Sequence, residues 1–492
     1  MRTTRIRHFG LRALVPMLVA TLFVAARLAA AQSAETGETA LDRYVHAPDT
    51  HFHYDLVKTQ TGHGYTSYVL DMTSQQYLTE AEVNHPIWKH WLVIVKPDKV
   101  TSNIGLLFIG GGSITQPAPQ NPDPMLAAVA VDTGAVVAEL YGIPNEPLVF
   151  ADETRERTED AIIAYSWDKF LRTGDEKWPL RLPMTKAAVR AMDATTAFLA
   201  SEAGGKVAVD KYVVAGGSKR GWTTWTTAAV DRRVVAIIPM VIDMLNIGPS
   251  FRHQFRVSGG YSSQVQDYVD AGILNWDGTV EYRNLLKIEE PFEYRQRLTM
   301  PKFIINGSGD QYFLPDSSQF YFDQLSGEKY LRYVPNAAHA VGDHTDVAQS
   351  VEADFASIVK NVPRPEFSWK LEDGRIVVDT RTEPMAVKLW QATNPDARDF
   401  RLEKIGPAYH SSDLKEIAPG RYVAELVKPD KGYTAYFVEL TYPSGSKYPF
   451  KFTTGVKVMP DVYPYPPAVA KPPAGSHPLS ESGGAPSTAS QP

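Results

Sequence analysis

From about residue 41 to 359 one pattern recurs: a short apolar run closed by Gly, Pro or Asn, then a longer stretch of helical spacing. The runs cover residues 91–95, 105–109, 135–138, 212–215, 235–239, 303–305 and 330–334. Runs of this length suit strands buried on both faces. The stretches 159–171 and 185–203 suit crossover helices, and 317–325 reads as another. Strand–helix alternation predicts an α/β fold: a mostly parallel sheet with helices on both faces.

Residues 247–300 break the rhythm, being rich in Tyr, Gln, Arg and Glu between two strand candidates. The segment reads as a cap above the strand ends or as a long helical connection. From 366 to 455 the period falls to two, and Asp373-Gly374, Pro419-Gly420 and Lys431-Gly432 punctuate the runs. That pattern predicts a small C-terminal all-β sandwich. Nine of the 33 residues from Pro460 onward are Pro, so 460–492 reads as a disordered tail. The expected organisation is thus a leader (1–31), a disordered lead-in (32–42), an α/β domain (43–361), a sandwich (366–455) and the tail.

The leader follows from charge and apolarity. Arg2, Arg5, Arg7 and Arg12 precede an apolar run over 13–26, and Ala29-Ala30-Ala31 precedes Gln32. This is the order of a secretory signal cleaved after Ala31. Arg27 and the short run argue against a permanent anchor, since a bilayer takes about 20 apolar residues. The expected location is periplasmic or secreted, with no stable membrane span after cleavage. Without residues 1–31, Lys+Arg falls to 45 against 56 acidic residues, a balance of −11. So acidic a chain is a poor general nucleic-acid binder. Cys is absent from the 492 residues, which excludes disulfides, zinc–thiolate sites, iron–sulfur clusters and Cys nucleophiles. Hydrophobic content of 43% excludes wholesale disorder.

Chemistry concentrates at strand ends. In Tyr212-Val213-Val214-Ala215-Gly216-Gly217-Ser218-Lys219-Arg220-Gly221-Trp222 an apolar run enters a tight turn with Ser218 at its apex. A nucleophilic Ser on such a turn needs small neighbours. The pattern is G-x-S-x-x-G, a variant of G-x-S-x-G that a Gly-rich strand–helix turn or phosphate cradle also matches. The run 303–305 leads into Asn306-Gly307-Ser308-Gly309-Asp310, and 330–334 leads into Pro335-Asn336-Ala337-Ala338-His339. Ser218, Asp310 and His339 thus each follow a candidate strand, in the order nucleophile, acid, base. Their bland readings are a turn-forming Asp and a core or surface His. His344 is the alternative base, though Asp343-His344-Thr345-Asp346 also reads as a helix cap, and Asp243 is the alternative acid. Backbone N–H groups of Lys219 and of Gly111 and Gly112, in Gly110-Gly111-Gly112-Ser113, are the candidate oxyanion donors.

These segments resemble the PhoPQ-activated pathogenicity-related proteins. The resemblance lies in Gly217-Ser218-Lys219-Arg220-Gly221-Trp222-Thr223-Thr224-Trp225 with Asp231-Arg232-Arg233-Val234. Gly142-Ile143-Pro144-Asn145-Glu146-Pro147-Leu148, Leu182-Pro183-Met184-Thr185-Lys186 and Asn306-Gly307-Ser308-Gly309-Asp310 extend it, over about residues 43–455. It implies an exported α/β-hydrolase-like protein linked to regulated virulence genes, with Ser218, Asp310 and His339 as nucleophile, acid and base. The elbow is also similar, over a short stretch, to that of glucuronoyl esterases, which carry a basic residue after the Ser.

Three other features carry weaker signals. His51-Phe52-His53-Tyr54-Asp55 has the H-x-H-x-D spacing of some metal hydrolases but no completing His cluster, so no metal is expected. The charge run 152–160 reads as a solvated helix start. Trp178, Trp222 and Trp225 read as core in preference to a pocket lining. The expected function is therefore a cofactor-free exported serine hydrolase acting on a small-molecule, peptide or saccharide ester or amide. The alternative is a non-catalytic secreted binding or signalling protein on the same scaffold.

Overall fold

The computed structural model describes residues 37–342, 345–372 and 374–479. The leader and His344 lie outside these residues. The first element among the described residues is α1 (Ala40–His46), which starts inside the stretch expected to be disordered. Thr39 caps it, and the Asp42 carboxylate accepts from the Thr39 N–H in return, closing a capping box.

A meander of β1 (His53–Gly62), β2 (Tyr65–Gln76) and β3 (Ile87–Pro97) opens the sheet. The parallel core follows: β4 (Ile104–Ile109), α2 (Pro124–Thr133), β5 (Val137–Leu140), α3 (Asp160–Thr173), α4 (Arg181–Ala200), β6 (Lys211–Gly217), α5 (Lys219–Val230) and β7 (Val234–Met240). Between β7 and β8 (Lys302–Gly307) lies a helical insertion of α6 (Ile247–Ser258), α7 (Gln266–Asp270) and α8 (Val280–Glu289) with short 3-10 turns. Then come β9 (Lys329–Val334) and α9 (Val347–Val359). Spatial order is β1-β2-β3-β5-β4-β6-β7-β8-β9, with β5 to β9 parallel.

Alternation along the buried strands explains the layers. Val213, Ile238 and Ile305 join one core, whereas Val214, Ile237 and Ile304 join the core on the opposite face. The result is an α/β-hydrolase-like sheet buried on both sides.

The remaining strands are β10 (Phe367–Glu372), β11 (Arg375–Thr380), β12 (Ala386–Asn394), β13 (His410–Asp413), β14 (Glu416–Ala418), β15 (Arg421–Glu425), β16 (Tyr433–Tyr442), β17 (Phe450–Thr453) and β18 (Lys457–Met459). They form two antiparallel layers. One, β10-β11-β15-β14, is a separate sheet. The other continues the central sheet, because β17 pairs with β9 at Thr453 and Leu331. Tyr330 of β9 stacks on Phe452 with ring centroids 4.2 Å apart, so the two parts share a core.

Two segments differ from expectation. Residues 317–325 form two 3-10 turns in place of a helix. Lys329 Nζ donates to the carbonyls of Phe322 and Leu325, using acceptors that a continuing helix would need. The Pro-rich segment from 460 is placed as far as Leu479. Tyr463 and Tyr465 pack on the end of α6, and Val280 N–H donates to the His477 carbonyl.

Candidate active site

The turn after β6 is built around two glycines. A Cβ on Gly216 would lie 2.8 Å from the Arg220 carbonyl oxygen, and one on Gly221 would lie 2.7 Å from that of Met240. The variant spacing of the motif thus has a steric cause: the second glycine is needed where α5 passes β7. Between them Ser218 takes φ 56° and ψ −127°, a left-handed conformation that costs a non-glycine residue about 1–3 kcal/mol. Its N–H donates to the Met240 carbonyl, and its own carbonyl accepts from Trp222 N–H.

The loops after β8 and β9 are joined to each other. Gly309 N–H donates to the Ala337 carbonyl at 2.9 Å, and Asn336 N–H to Ser308 Oγ at 3.0 Å. A Cβ on Gly307 would lie 2.5 Å from the Ala338 carbonyl oxygen, so only glycine allows this approach. The C-terminal part braces both loops. Asn336 and Tyr409 exchange side-chain-to-backbone bonds of 2.8 Å, and Leu402 N–H donates to the Gly309 carbonyl.

This joining sets Asp310 Oδ2 2.8 Å from His339 Nδ1. Asp310 Oδ1 accepts from the N–H groups of Tyr312 (2.6 Å) and Phe313 (3.3 Å), which fixes the carboxylate plane. The imidazole lies against Tyr312, with ring centroids 4.1 Å apart. Its Nε2 is buried and has no hydrogen-bond partner among the described residues. Ser218 Oγ makes no hydrogen bond among the described residues, so Ser218 and His339 are not directly bonded.

Ser218 opens on a narrow cavity of about 30 Å³. Trp167, Trp222, Ile242, Phe251, Val265, Tyr268, Tyr312 and Phe313 line it, with Asp160 and Lys219 as its charged residues. Phe251, Val265 and Tyr268 come from the 247–300 insertion, which therefore closes over the serine. Beyond Tyr312 and Phe313, which line both spaces, lies a cleft of about 520 Å³ between the insertion, the Asp310 loop, the C-terminal strands and the 464–465 segment. Of the three tryptophans weighed from the sequence, Trp222 reaches the cavity; Trp225 is core, and Trp178 packs against Tyr165 and Phe150.

The N–H groups of Gly111, Gly112 and Lys219 donate no hydrogen bond among the described residues. The register that sets Ile109 opposite Gly216 carries the chain after β4 alongside the elbow. Lys219 lines the cavity with Ser218; Gly111 and Gly112 do not, and the Arg220 guanidinium packs against Gly111.

The charge run at 152–160, expected to be a solvated helix start, instead ends in two acids paired with the elbow. Lys219 Nζ lies 2.7 Å from Glu159 and 3.0 Å from Asp160, and Arg220 Nη2 lies 2.7 Å from Glu159. Arg220 Nε also donates to the Ile143 carbonyl. Both cations beside Ser218 are therefore neutralised within the chain, not turned to solvent. Burial works to raise the Glu159 carboxyl, but the charges of Arg220 and Lys219 outweigh it and hold the pKa at about 2. Glu159 has nearly the same backbone as Ser218, φ 52° and ψ −127°, and starts α3 as Ser218 starts α5. Two acids in one helix start and two cations after the Ser were the available signal.

Asp243, the alternative acid, is buried under Tyr321 and Tyr333, whose hydroxyls donate to it at 2.7 and 2.6 Å. Burial pushes its carboxyl up to about 7, despite those bonds. A second buried His–Asp pair was not read from the sequence. His253 Nε2 lies 2.9 Å from Asp316, which also takes Arg398 at 2.7 Å, while His253 Nδ1 meets the Tyr463 hydroxyl at 3.0 Å. These four residues tie the insertion to the sheet, the C-terminal strands and the 460–479 segment. His51 pairs with Asp49 and His53 with the His51 carbonyl; among the described residues no cluster of three or more acidic or His side chains could hold a metal.

Strand order and crossovers define an α/β-hydrolase scaffold with an antiparallel C-terminal addition. Residues 41–401 match the PhoPQ-activated pathogenicity-related proteins, and the chain belongs to that family. It is 36% identical over 459 residues to autocrine proliferation repressor protein A of Dictyostelium discoideum, covering 87% of this chain and 92% of that protein. Solved structures that it resembles include an acetyl xylan esterase from Paenibacillus sp. R4 (13% identity, 65% of this chain and 92% of that one, TM-score 0.46). A glucuronoyl esterase from Solibacter usitatus is another (15% identity, 65% and 90%, TM-score 0.37). Among the described residues no helix is long and apolar enough to cross a membrane.

Proposed function

We propose that this chain is an exported serine hydrolase that cleaves an ester or amide through an acyl-enzyme. The observation that carries the reading is the Asp310–His339 bond of 2.8 Å, with a buried Nε2 that has no partner among the described residues, beyond the ends of β8 and β9 on the same edge of the parallel sheet as the strained Ser218 elbow after β6. A hydroxyl is a weak nucleophile, and His339 Nε2 would take its proton during attack and return it to the leaving group. Asp310 fixes the tautomer that leaves Nε2 free. The N–H groups of Lys219 and of Gly111 or Gly112 would receive the oxyanion, at about 3–4 kcal/mol per donor. The missing Ser–His bond is in keeping with this, since such contacts commonly tighten only with substrate bound. The leader read in residues 1–31 supports export.

The name of the Dictyostelium relative, a proliferation repressor, favours a second reading, a secreted repressor or binding protein that keeps the scaffold without catalysis. One experiment separates the two. The purified chain is treated with a fluorophosphonate and assayed on p-nitrophenyl acetate, beside Ser218→Ala. Labelling and hydrolysis that vanish in the variant support the hydrolase; a folded wild type that does neither supports the binding protein.

A further inference from the structure

We infer that the Ser218 site takes acyl groups of acetyl size carried on a large polar alcohol, an inference that rests on the serine-hydrolase reading. The cavity beside Ser218, at about 30 Å³, is two to three times the roughly 10–15 Å³ that admits one water, room for the few atoms of an acetyl group and little more. Its walls are locked together and cannot simply recede. Trp167 meets Trp222 edge-on at 6.1 Å and Tyr268 at 5.2 Å. Trp222 Nε1 donates to the Glu289 carbonyl at 2.6 Å, and the Tyr268 hydroxyl to Asp160 at 3.0 Å. Forcing extra methylenes into packing of this kind is destabilising. The charged lining offers nothing to an anionic acyl group, because Lys219 is already paired with Asp160 and Glu159.

The alcohol side follows from the proton path. His339 hands its proton from Nε2 to the leaving oxygen, so the alcohol departs past the His339 ring, where Tyr312 and Phe313 pack against the imidazole and line both the cavity and a larger space. The space there is the 520 Å³ cleft, within the usual range of small-molecule sites. Tyr261 and Tyr465 offer aromatic faces, and Arg398, Arg401 and Asp399 offer charged groups. Arg398 is paired with Asp316 and Arg401 with Asp399, and a polyhydroxylated alcohol keeps these ion pairs hydrogen-bonded at their open sides, whereas a hydrocarbon chain would strip water from them and replace none of it. In the reaction Ser218 Oγ bonds to the acetyl carbonyl carbon, the ester C–O bond breaks, and the alcohol leaves with the His339 proton. Water then releases acetate and restores the serine.

The test is a series of p-nitrophenyl acetate, propionate and butyrate, with Ser218→Ala as blank. From acetate to butyrate kcat/KM should fall at least about tenfold, as expected when methylenes must fit a closed apolar pocket. Phe251→Ala, and the milder Val265→Ala should the first not fold, should raise butyrate relative to acetate by a similar factor. Acetate release from a peracetylated disaccharide should exceed that from hexadecyl acetate dispersed in detergent. Ser218-dependent hydrolysis that is indifferent to chain length, or that prefers the hexadecyl ester, overturns this inference and leaves the hydrolase standing. Ser218-independent rates on every ester overturn both.

Discussion

The sharpest test of the reading is Asp310→Asn, because the structure dictates which way the new amide must face. Asp310 Oδ1 accepts two backbone N–H groups, from Tyr312 and Phe313. An amide nitrogen placed there would face two donors with no acceptor, so the Asn oxygen must take the Oδ1 position. Its NH₂ group then occupies the Oδ2 position, 2.8 Å from His339 Nδ1. Nδ1 is forced to accept, the ring proton moves to Nε2, and the base is lost while the geometry is kept. The same tautomer inversion in a Ser–His–Asp triad costs about 10⁴-fold in turnover, or about 5 kcal/mol of barrier. Turnover of p-nitrophenyl acetate is compared at neutral pH, with circular dichroism to show that the variant is folded. A folded Asp310→Asn chain within tenfold of wild type would refute the argument and return Asp243 to consideration.

Other perturbations probe the surroundings. Asp243 keeps its proton in the fold up to about pH 7 but loses it near pH 4 when unfolded, so between these values the fold binds more protons and rising pH costs stability, by at most on the order of 4 kcal/mol. Asp243→Asn should therefore gain melting temperature relative to wild type from pH 5 to pH 8; parallel curves would count against it. Arg181 is fully buried, lies 3.3 Å from the equally buried Glu289, and donates to the Lys219 carbonyl and Thr223 Oγ1. Arg181→Ala should cost about 3–5 kcal/mol in urea unfolding, partly restored by adding Glu289→Gln. Glu159→Gln leaves Lys219 with Asp160 alone; because Glu159 is partly exposed, the expected stability loss is only about 1 kcal/mol, with a clear fall in kcat. Unchanged kcat would show that this charge cluster does not hold the elbow.

What the sequence made legible was local. An apolar run followed by Gly and a polar residue marks a strand end, and three such marks located Ser218, Asp310 and His339 in the loops after β6, β8 and β9. Alternation within the runs marked the two faces of the sheet. Pairings between distant segments were not legible. Glu159 and Lys219 lie far apart in sequence, and each alone reads as a solvated surface charge. Period two announces strands without naming their neighbours, so it could not show that β17 pairs with β9. Proline content announced a tail without weighing Tyr463 and Tyr465, the aromatic anchors that hold part of it.

Contacts between distant segments also hold the His–Asp pair in place. Asp310 and His339 face each other only while the loops after β8 and β9 stay joined. The contacts that join them run outward, through Leu402 to Gly309 and Tyr409 to Asn336, into the C-terminal part. The insertion over the serine is tied to that part as well, through His253, Asp316 and Arg398. The C-terminal strands are therefore not an appendage that could be exchanged without consequence for the site. They extend the sheet, hold the loops of the acid and the base, and form one wall of the larger cleft. A scaffold organised in this way couples the shape of the cleft to the registration of the His–Asp pair.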